Sequence, residues 1–212
     1  MMNDTGVLFD LDGVLIDSET LYTQFWEETE KIYPTGISNF AYVIKGNNLA
    51  KILNTYFPDK ELQKKLIRMI DDFEREMKYE IFPGVIEFLE NLNAKKIPCA
   101  IVTSSDKNKM AQFHKQHNNF HNYFDAIITG DMVKHSKPNP ECFILGANAI
   151  NRNIHDCYIF EDSPSGIQAG IASGAKVIAL TTTLIEGDIN TKVNKIINNF
   201  TDFSVDNMLT IF

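Results

Sequence analysis

The chain has 212 residues, 44% of them hydrophobic, and a formal net charge of −8. That length admits one large domain or a domain carrying a smaller insertion, with enough apolar sequence for a packed core. The acidic balance speaks against a nucleic-acid partner, because sequence-independent binding needs lysine and arginine to neutralise phosphates, and no apolar run approaches the roughly 20 residues that span a membrane.

At the N-terminus, MMNDTGVLFD lacks the basic flank and small-residue cleavage site of a signal peptide, so a cytoplasmic protein is expected. The first β-rich apolar run is TGVLF (5–9). It is followed by PCAIVT (98–103), DAIIT (125–129), CYIF (157–160), KVIAL (176–180) and KIIN (195–198), with helical patterns between them. Strands that alternate with helices imply a parallel sheet covered on both faces.

Residues 17 to about 82 separate the first strand from the second, far more than a simple crossover needs. They read almost wholly as helix. In DKELQKKLIRMIDDFEREMKYE, Leu62, Leu66, Met69, Ile70 and Phe73 fall at helical spacing on a charged background, as in an amphipathic helix of a small bundle. Phe82, Pro83 and Gly84 then punctuate the return to the α/β pattern. The expected organisation is an α/β core from 1–16 and 83–212, with an α-helical cap inserted at 17–82.

Further along, Ser105 or Asp106 can cap a helix, and Asn139 with Pro140 can start another. Ser163, Pro164 and Gly174 are placed to begin and end a third. His114, His117 and His121 recur at helical spacing without a completing acid or thiol, so a solvated helix surface is expected there. Cys99, Cys142 and Cys157 are odd in number and lie beside apolar residues, which suits core positions better than disulfides.

The chemistry gathers at strand ends, where an open α/β sheet binds its ligands. Asp10 and Asp12 follow the first strand at positions i and i+2, and so project to one face. Two carboxylates this close disfavour joint ionisation, leaving one protonated or a cation bound; as isolated residues they also suit a turn or a cap. Gly13 lets the backbone approach a ligand closely. Glu161 and Asp162 repeat the pattern, and four acids from two strand ends suit a hard cation such as Mg²⁺. Thr103, Ser104 and Ser105 bring hydroxyls and a helix start to another strand end, a setting for an anion. Lys137 lies between strand ends in the same layer, though a lone lysine is ordinarily a solvated surface group.

FDLDGVLIDSE, the VTSS element, SKPNPECF and FEDSPSGIQAGIASG, in this order, resemble the four sequence motifs of the haloacid dehalogenase superfamily. The likeness is to its phosphatase and phosphomutase branch with a helical cap after the first motif, and it spans nearly the whole chain. It implies a Rossmann-like parallel-sheet core of the α/β class with helices on both faces. By resemblance Asp10 is the nucleophile that forms an aspartyl-phosphate, and Asp12 the general acid and base. Thr103, Ser104 and Lys137 hold phosphoryl oxygens. Asp10, Asp12 (through its carbonyl), Glu161 and Asp162 bind Mg²⁺, with Asp162 the more direct ligand of the last two.

VIKGNNLAKIL looks like the family's cap loop that reaches over the active site, with Lys45, Gly46 and Asn47 as candidate specificity contacts. The nearest rival is a β-phosphoglucomutase-like phosphomutase. This loop is shorter after Gly46 and lacks an arginine for a second phosphate, and Tyr22 stands where the mutase has a cap histidine. A non-catalytic phosphate-binding or regulatory protein is the rival from another class, but every motif position keeps a competent residue. The expectation is an Mg²⁺-dependent hydrolase of a small organic phosphate monoester, such as a sugar phosphate, acting as a monomer or weak homo-oligomer. Its cap would hinge near Asp17 to Glu19 and Tyr79 to Gly84.

Overall fold

The alternation of side chains along three short strands explains the layering. In β1 (Gly6–Phe9), β4 (Cys99–Val102) and β6 (Cys157–Glu161), one set of residues, Val7, Phe9, Ile101, Tyr158 and Phe160, packs into one apolar cluster. The intervening set, Leu8, Ala100, Val102 and Ile159, packs into another. Period-two geometry thus sends neighbours to opposite faces, and both faces are covered. In this computed structural model the described residues are 4–45, 47–184, 189 and 192–211.

Six strands form the sheet in the order β5-β4-β1-β6-β7-β8, with β5 at Ala126–Ile128, β7 at Lys176–Leu180 and β8 at Lys195–Ile197. Every pairing in it is parallel. All six lie within or beside the apolar runs read from the sequence. The strand order reverses at β1, because β4 and β5 extend the sheet to one side and β6 to β8 to the other. The C-terminal ends of β4, β1 and β6 therefore surround a switch-point crevice, where open α/β sheets take ligands.

The segment between β1 and β4 is helical: α1 (Glu19–Ile32), α2 (Phe40–Val43), α3 (Leu49–Tyr56) and α4 (Lys60–Glu76). These helices bury their own cluster around Trp26, whose ring lies edge-on to Phe40 at 5.8 Å. Leu66 and Ile70 of the amphipathic stripe are buried there, whereas Phe73 packs on Tyr22 and Phe25 and against the core cluster. The chain enters and leaves through one antiparallel ribbon, β2 (Ile16–Asp17) against β3 (Glu80–Ile81).

Three further helices frame the site. Following α5 (Val85–Ala94), α6 (Lys107–Gln116) starts at Asp106, which accepts from the amides of Asn108 and Lys109 at 2.9 and 3.0 Å. Next, α7 (Glu141–Ala149) lies over β4 and β5. Its first amide is bonded by Asn139 Oδ1. Then α8 (Pro164–Ser173) is capped by Ser163 and ends at Gly174 with φ 84°, as its sequence leads one to expect. The last helix, α9 (Val205–Leu209), packs on α5.

His114 and His117 depart from a solvated surface, whereas His121 is exposed as expected. His117 is half-buried and its Nε2 lies 2.5 Å from the Tyr79 carbonyl, while the His114 and His121 rings stand 5.6 Å apart. His117 thereby ties the foot of α6 to the residue just before β3. All three cysteines are buried and free, and burial pushes their thiols up, to about 12, 11 and 12 for Cys99, Cys142 and Cys157. Among the described residues no helix is long and apolar enough to cross a membrane.

Candidate active site

The Asp10 amide closes β1 against β6 by donating to the Phe160 carbonyl at 3.0 Å, so its side chain emerges at the C-terminal edge of the sheet. Leu11 then accepts from the amides of Leu15 and Ile16 at 2.9 and 3.0 Å, which folds residues 11–16 into a tight turn. Gly13 occupies that turn with φ 78°. A Cβ there would lie 2.0 Å from Asp162 Oδ2, so the close approach that Gly13 permits is to Asp162.

Lys137 sits behind Asp10, only 2% exposed. Its ammonium donates to Asp10 Oδ1 at 2.6 Å, Glu161 Oε1 at 2.6 Å and the Val102 carbonyl at 3.3 Å. The other Glu161 oxygen accepts from the amides of Asp162 and Ser163 and from the Ser163 hydroxyl, at 2.9 to 3.1 Å. Gly166 makes room for this carboxylate, since a Cβ there would meet Glu161 Oε1 at 1.7 Å. The two motif acids thus differ: Glu161 is saturated by the lysine and the turn, while Asp162 Oδ2 is buried without a hydrogen-bond partner.

That orphaned oxygen tests whether the residues suit a metal. Burial, then Glu161, Glu19 and Asp10, push the Asp162 carboxyl well up, with the Thr183 hydroxyl nearby opposing. Burial likewise raises Asp10 to about 8, with Glu161 and Asp12 adding to it and Lys137 opposing. Crowded acids at this edge, one with an unsatisfied buried oxygen, are a donor set that a hard cation would stabilise. Among the described residues no three acid, histidine or cysteine side chains converge as a ready metal site, so a hard cation here would rely on Asp10 and Asp162 together with a backbone oxygen.

Asp12 has different company. Lys109 donates to its Oδ1 at 2.5 Å, Ser18 donates to the same oxygen, and Ser105 donates to Oδ2 at 2.8 Å. Burial alone would raise this carboxyl, but Lys109 and the hydroxyl donors outweigh it and hold Asp12 below the usual carboxylate range. Lys109 is 3% exposed and its ammonium stands 4.1 Å from the centre of the Tyr22 ring. Tyr22, on α1, donates its hydroxyl to Glu74 of α4 at 2.6 Å.

Both aspartates open onto a cavity of about 440 Å³ between the sheet edge and the helical segment, lined also by Thr103, Ser104 and Asp162. Thr103 closes β4 by donating its amide to the Ile128 carbonyl, and its Oγ1 accepts from the Ser105 amide at 3.0 Å. Lys45 and Asn47 line the same cavity from the other side. Lys45 is no solvated lysine: it pairs with Glu19 at 2.9 Å with 7% of its side chain exposed. The Asn47 amide group donates to the Ile44 carbonyl at 3.0 Å. Gly46 lies outside the described residues.

The structure therefore brings Asp10, Asp12, Thr103, Ser104, Lys137, Glu161 and Asp162 to one edge, with Lys45 and Asn47 facing them. Sequence reasoning missed Lys109, Ser18, Glu19 and Glu74. Lys109 carried one signal: a basic residue in the first turn of a helix opposes the helix dipole.

A family model described as "Haloacid dehalogenase-like hydrolase" matches residues 7–180. Hexitol phosphatase A of Escherichia coli is 29% identical over 190 residues, 84% of this chain and 84% of its own. Glycerol-1-phosphate phosphohydrolase 2 of Saccharomyces cerevisiae is 32% identical over 192 residues, 84% of this chain and 75% of its own. The chain also matches the bifunctional riboflavin kinase/FMN phosphatase of Arabidopsis thaliana at 26% identity, spanning 54% of that protein. Among solved structures, a HAD hydrolase, family IA, variant 3, from Entamoeba histolytica superposes with TM-score 0.81 at 26% identity, covering 97% of each chain.

Proposed function

The chain belongs to the haloacid dehalogenase-like hydrolase family, and from that premise we propose that it hydrolyses a small organic phosphate monoester through an aspartyl-phosphate on Asp10. The observation that carries this reading is the opening of Asp10 and Asp12 onto one cavity from opposed electrostatic settings. Without a bound cation or substrate the two settings run against these roles, Asp10 raised and Asp12 lowered, so the roles depend on a cation that ionises Asp10 and on an anionic phosphoryl group that favours protonated Asp12.

In the first step an Asp10 carboxylate oxygen attacks phosphorus, and the bond from phosphorus to the ester oxygen breaks. Asp12 gives its proton to the departing alkoxide. In the second step Asp12 takes a proton from water, the hydroxide attacks phosphorus, and the bond to Asp10 breaks to release phosphate. Splitting one displacement in two lowers each barrier. Asp12 starts as a carboxylate beside Lys109 and takes its first proton from solvent as the anionic phosphoryl group enters and favours the protonated form; the second step restores that proton for the next turnover.

Lys137 holds Asp10 in place and sets positive charge behind the reacting centre, while Thr103 and Ser104 line the side from which phosphoryl oxygens are met. Asp10, Asp162 and the Asp12 carbonyl would hold Mg²⁺, with Glu161 fixed behind them. When bound, the ion supplies charge that favours ionised Asp10 and offsets the phosphoryl oxygens. The cavity volume of about 440 Å³ suits a phosphoryl group with a small leaving group. The names of the hexitol and glycerol-1-phosphate relatives support a sugar or polyol phosphate.

The test is turnover of 4-nitrophenyl phosphate with and without Mg²⁺, in the wild type and in Asp10→Asn. Activity should require the metal and fall on the order of 10⁴-fold or more in the variant, as when other covalent nucleophiles are removed. Metal-independent turnover, or an active Asp10→Asn, would overturn the mechanism. Incubation with glucose 1-phosphate separates hydrolase from mutase: free phosphate is expected, and glucose 6-phosphate would favour the mutase.

A further inference from the structure

Lys109 is in a place that local rules disfavour. It occupies the third position of α6, where the helix dipole repels a cation. It is also buried, which a lysine tolerates only with a partner. A residue that breaks two local preferences at once marks a site where another requirement prevails.

The requirement is visible in its surroundings. On one side the ammonium meets Asp12 Oδ1 at 2.5 Å; on the other it faces the Tyr22 ring at 4.1 Å, a cation–π distance. Tyr22 is anchored to Glu74 by its hydroxyl, so the chain of contacts runs from Asp12 through Lys109 to α1 and α4 of the helical segment. The remaining donors to Asp12 come from Ser18, at the passage into that segment, and from Ser105, two residues ahead of α6. No other described contact ties the Asp12 carboxylate directly to a residue packed on both parts of the molecule.

We propose that Lys109 is a positioning residue that aims the Asp12 carboxylate at the leaving-group oxygen only when the helical cap, through Tyr22, is seated on the core. This rests on the reading of Asp12 as the proton donor. Lys109 touches neither Asp10 nor a residue that holds the phosphoryl group in that reading, so its loss should tell on leaving-group departure above all. A bond that breaks with a good leaving group needs little protonation, whereas a poor one needs the acid in place.

The experiment compares kcat/KM for 4-nitrophenyl phosphate and phenyl phosphate in the wild type, Asp12→Asn, Lys109→Met, Tyr22→Leu and the double variant Lys109→Met with Tyr22→Leu, with folding checked by thermal melts. Phenol is the poorer leaving group. Lys109→Met should lose at least about tenfold more activity on phenyl than on 4-nitrophenyl phosphate, within the range that general-acid catalysis spans. Tyr22→Leu should show the same bias, and the double variant should be little worse than Lys109→Met alone, as for residues acting in one chain. Equal losses on both substrates, or full additivity of the two substitutions, would overturn the proposal. If Lys109→Met does not fold, Tyr22→Leu decides alone by the same bias. Failure of the Asp12 reading would look different: Asp12→Asn itself would then show no bias.

Discussion

Asp10 and Asp12 are two residues apart, yet they stand in two differently built halves of one site. Asp10 rests on the sheet: its carboxylate comes off β1 and is met by a lysine shared with Glu161 from β6. Asp12 rests on helices and on the passage to the cap, with Lys109, Ser105 and Ser18 as donors from three separate places. The first half leaves its aspartate raised to about 8, the second holds its aspartate below the usual range. Two copies of one side chain acquire different chemistry because one is under-supplied with donors and the other over-supplied.

Opposite shifts give opposite pH dependence, and this is where the largest effect is expected. Asp10 is raised when folded, so its contribution to stability is present below about pH 4 and is lost as pH rises towards 8; Asp12 is lowered, so its contribution is present above about pH 4 and lost as pH falls below it. Metal-free Asp10→Asn should therefore match the wild-type melting temperature at about pH 4 and exceed it by a growing margin up to pH 8. Added Mg²⁺ should stabilise the wild type more at pH 8 than at pH 5, because the ion favours the ionised acids. A melting difference between the two proteins that ignores pH would erase the distinction between the halves.

Removing the lysine of the first half comes next. Lys137→Met leaves Glu161 buried without its cation and Asp10 without its donor. Breaking a buried pair from one side costs about 3–5 kcal/mol. An unfolding free energy from chemical denaturation within about 1 kcal/mol of wild type, on the order of the error of extrapolation, would mean that the sheet edge does not depend on this pair.

The same contrast governs what could be read from the sequence. The acids of the Asp10 half were legible because each ends a short apolar run or follows one, and strand ends of a parallel sheet must meet at one edge. Lys137, nine residues past β5, was placed by the family resemblance and not by that rule. Glu161 was legible as a strand-end acid, but its turn inward towards Gly166 and Lys137 was not, since adjacent acids look alike in sequence. The Asp12 half was hidden for a different reason. Lys109 sits among Asp106, Lys107 and Asn108 like any residue of a solvated helix start, and only the approach of a loop 97 positions earlier buries it. The cap pairing of Lys45 with Glu19 likewise joins residues 26 apart whose periodicity carries no trace of it.

Redundancy in the Asp12 half sets the smallest effect. Ser105→Ala removes the 2.8 Å bond to Asp12 Oδ2 but leaves Lys109 and Ser18 on the other oxygen. A hydrogen bond to a charged group is worth about 1.5–3 kcal/mol when it stands alone. Here the carboxylate keeps its cation and gains access to the cavity through the space vacated by the hydroxyl, so a loss of about 1 kcal/mol or less in stability is expected. Asp12 should still point into the site, and kcat/KM for 4-nitrophenyl phosphate should fall only a few-fold, far less than in Asp10→Asn. A loss comparable to that of Lys137→Met would show that Ser105 is as indispensable to Asp12 as Lys137 is to Asp10. The asymmetry between the halves would then lie in their pKa shifts alone and not in how many groups secure each aspartate.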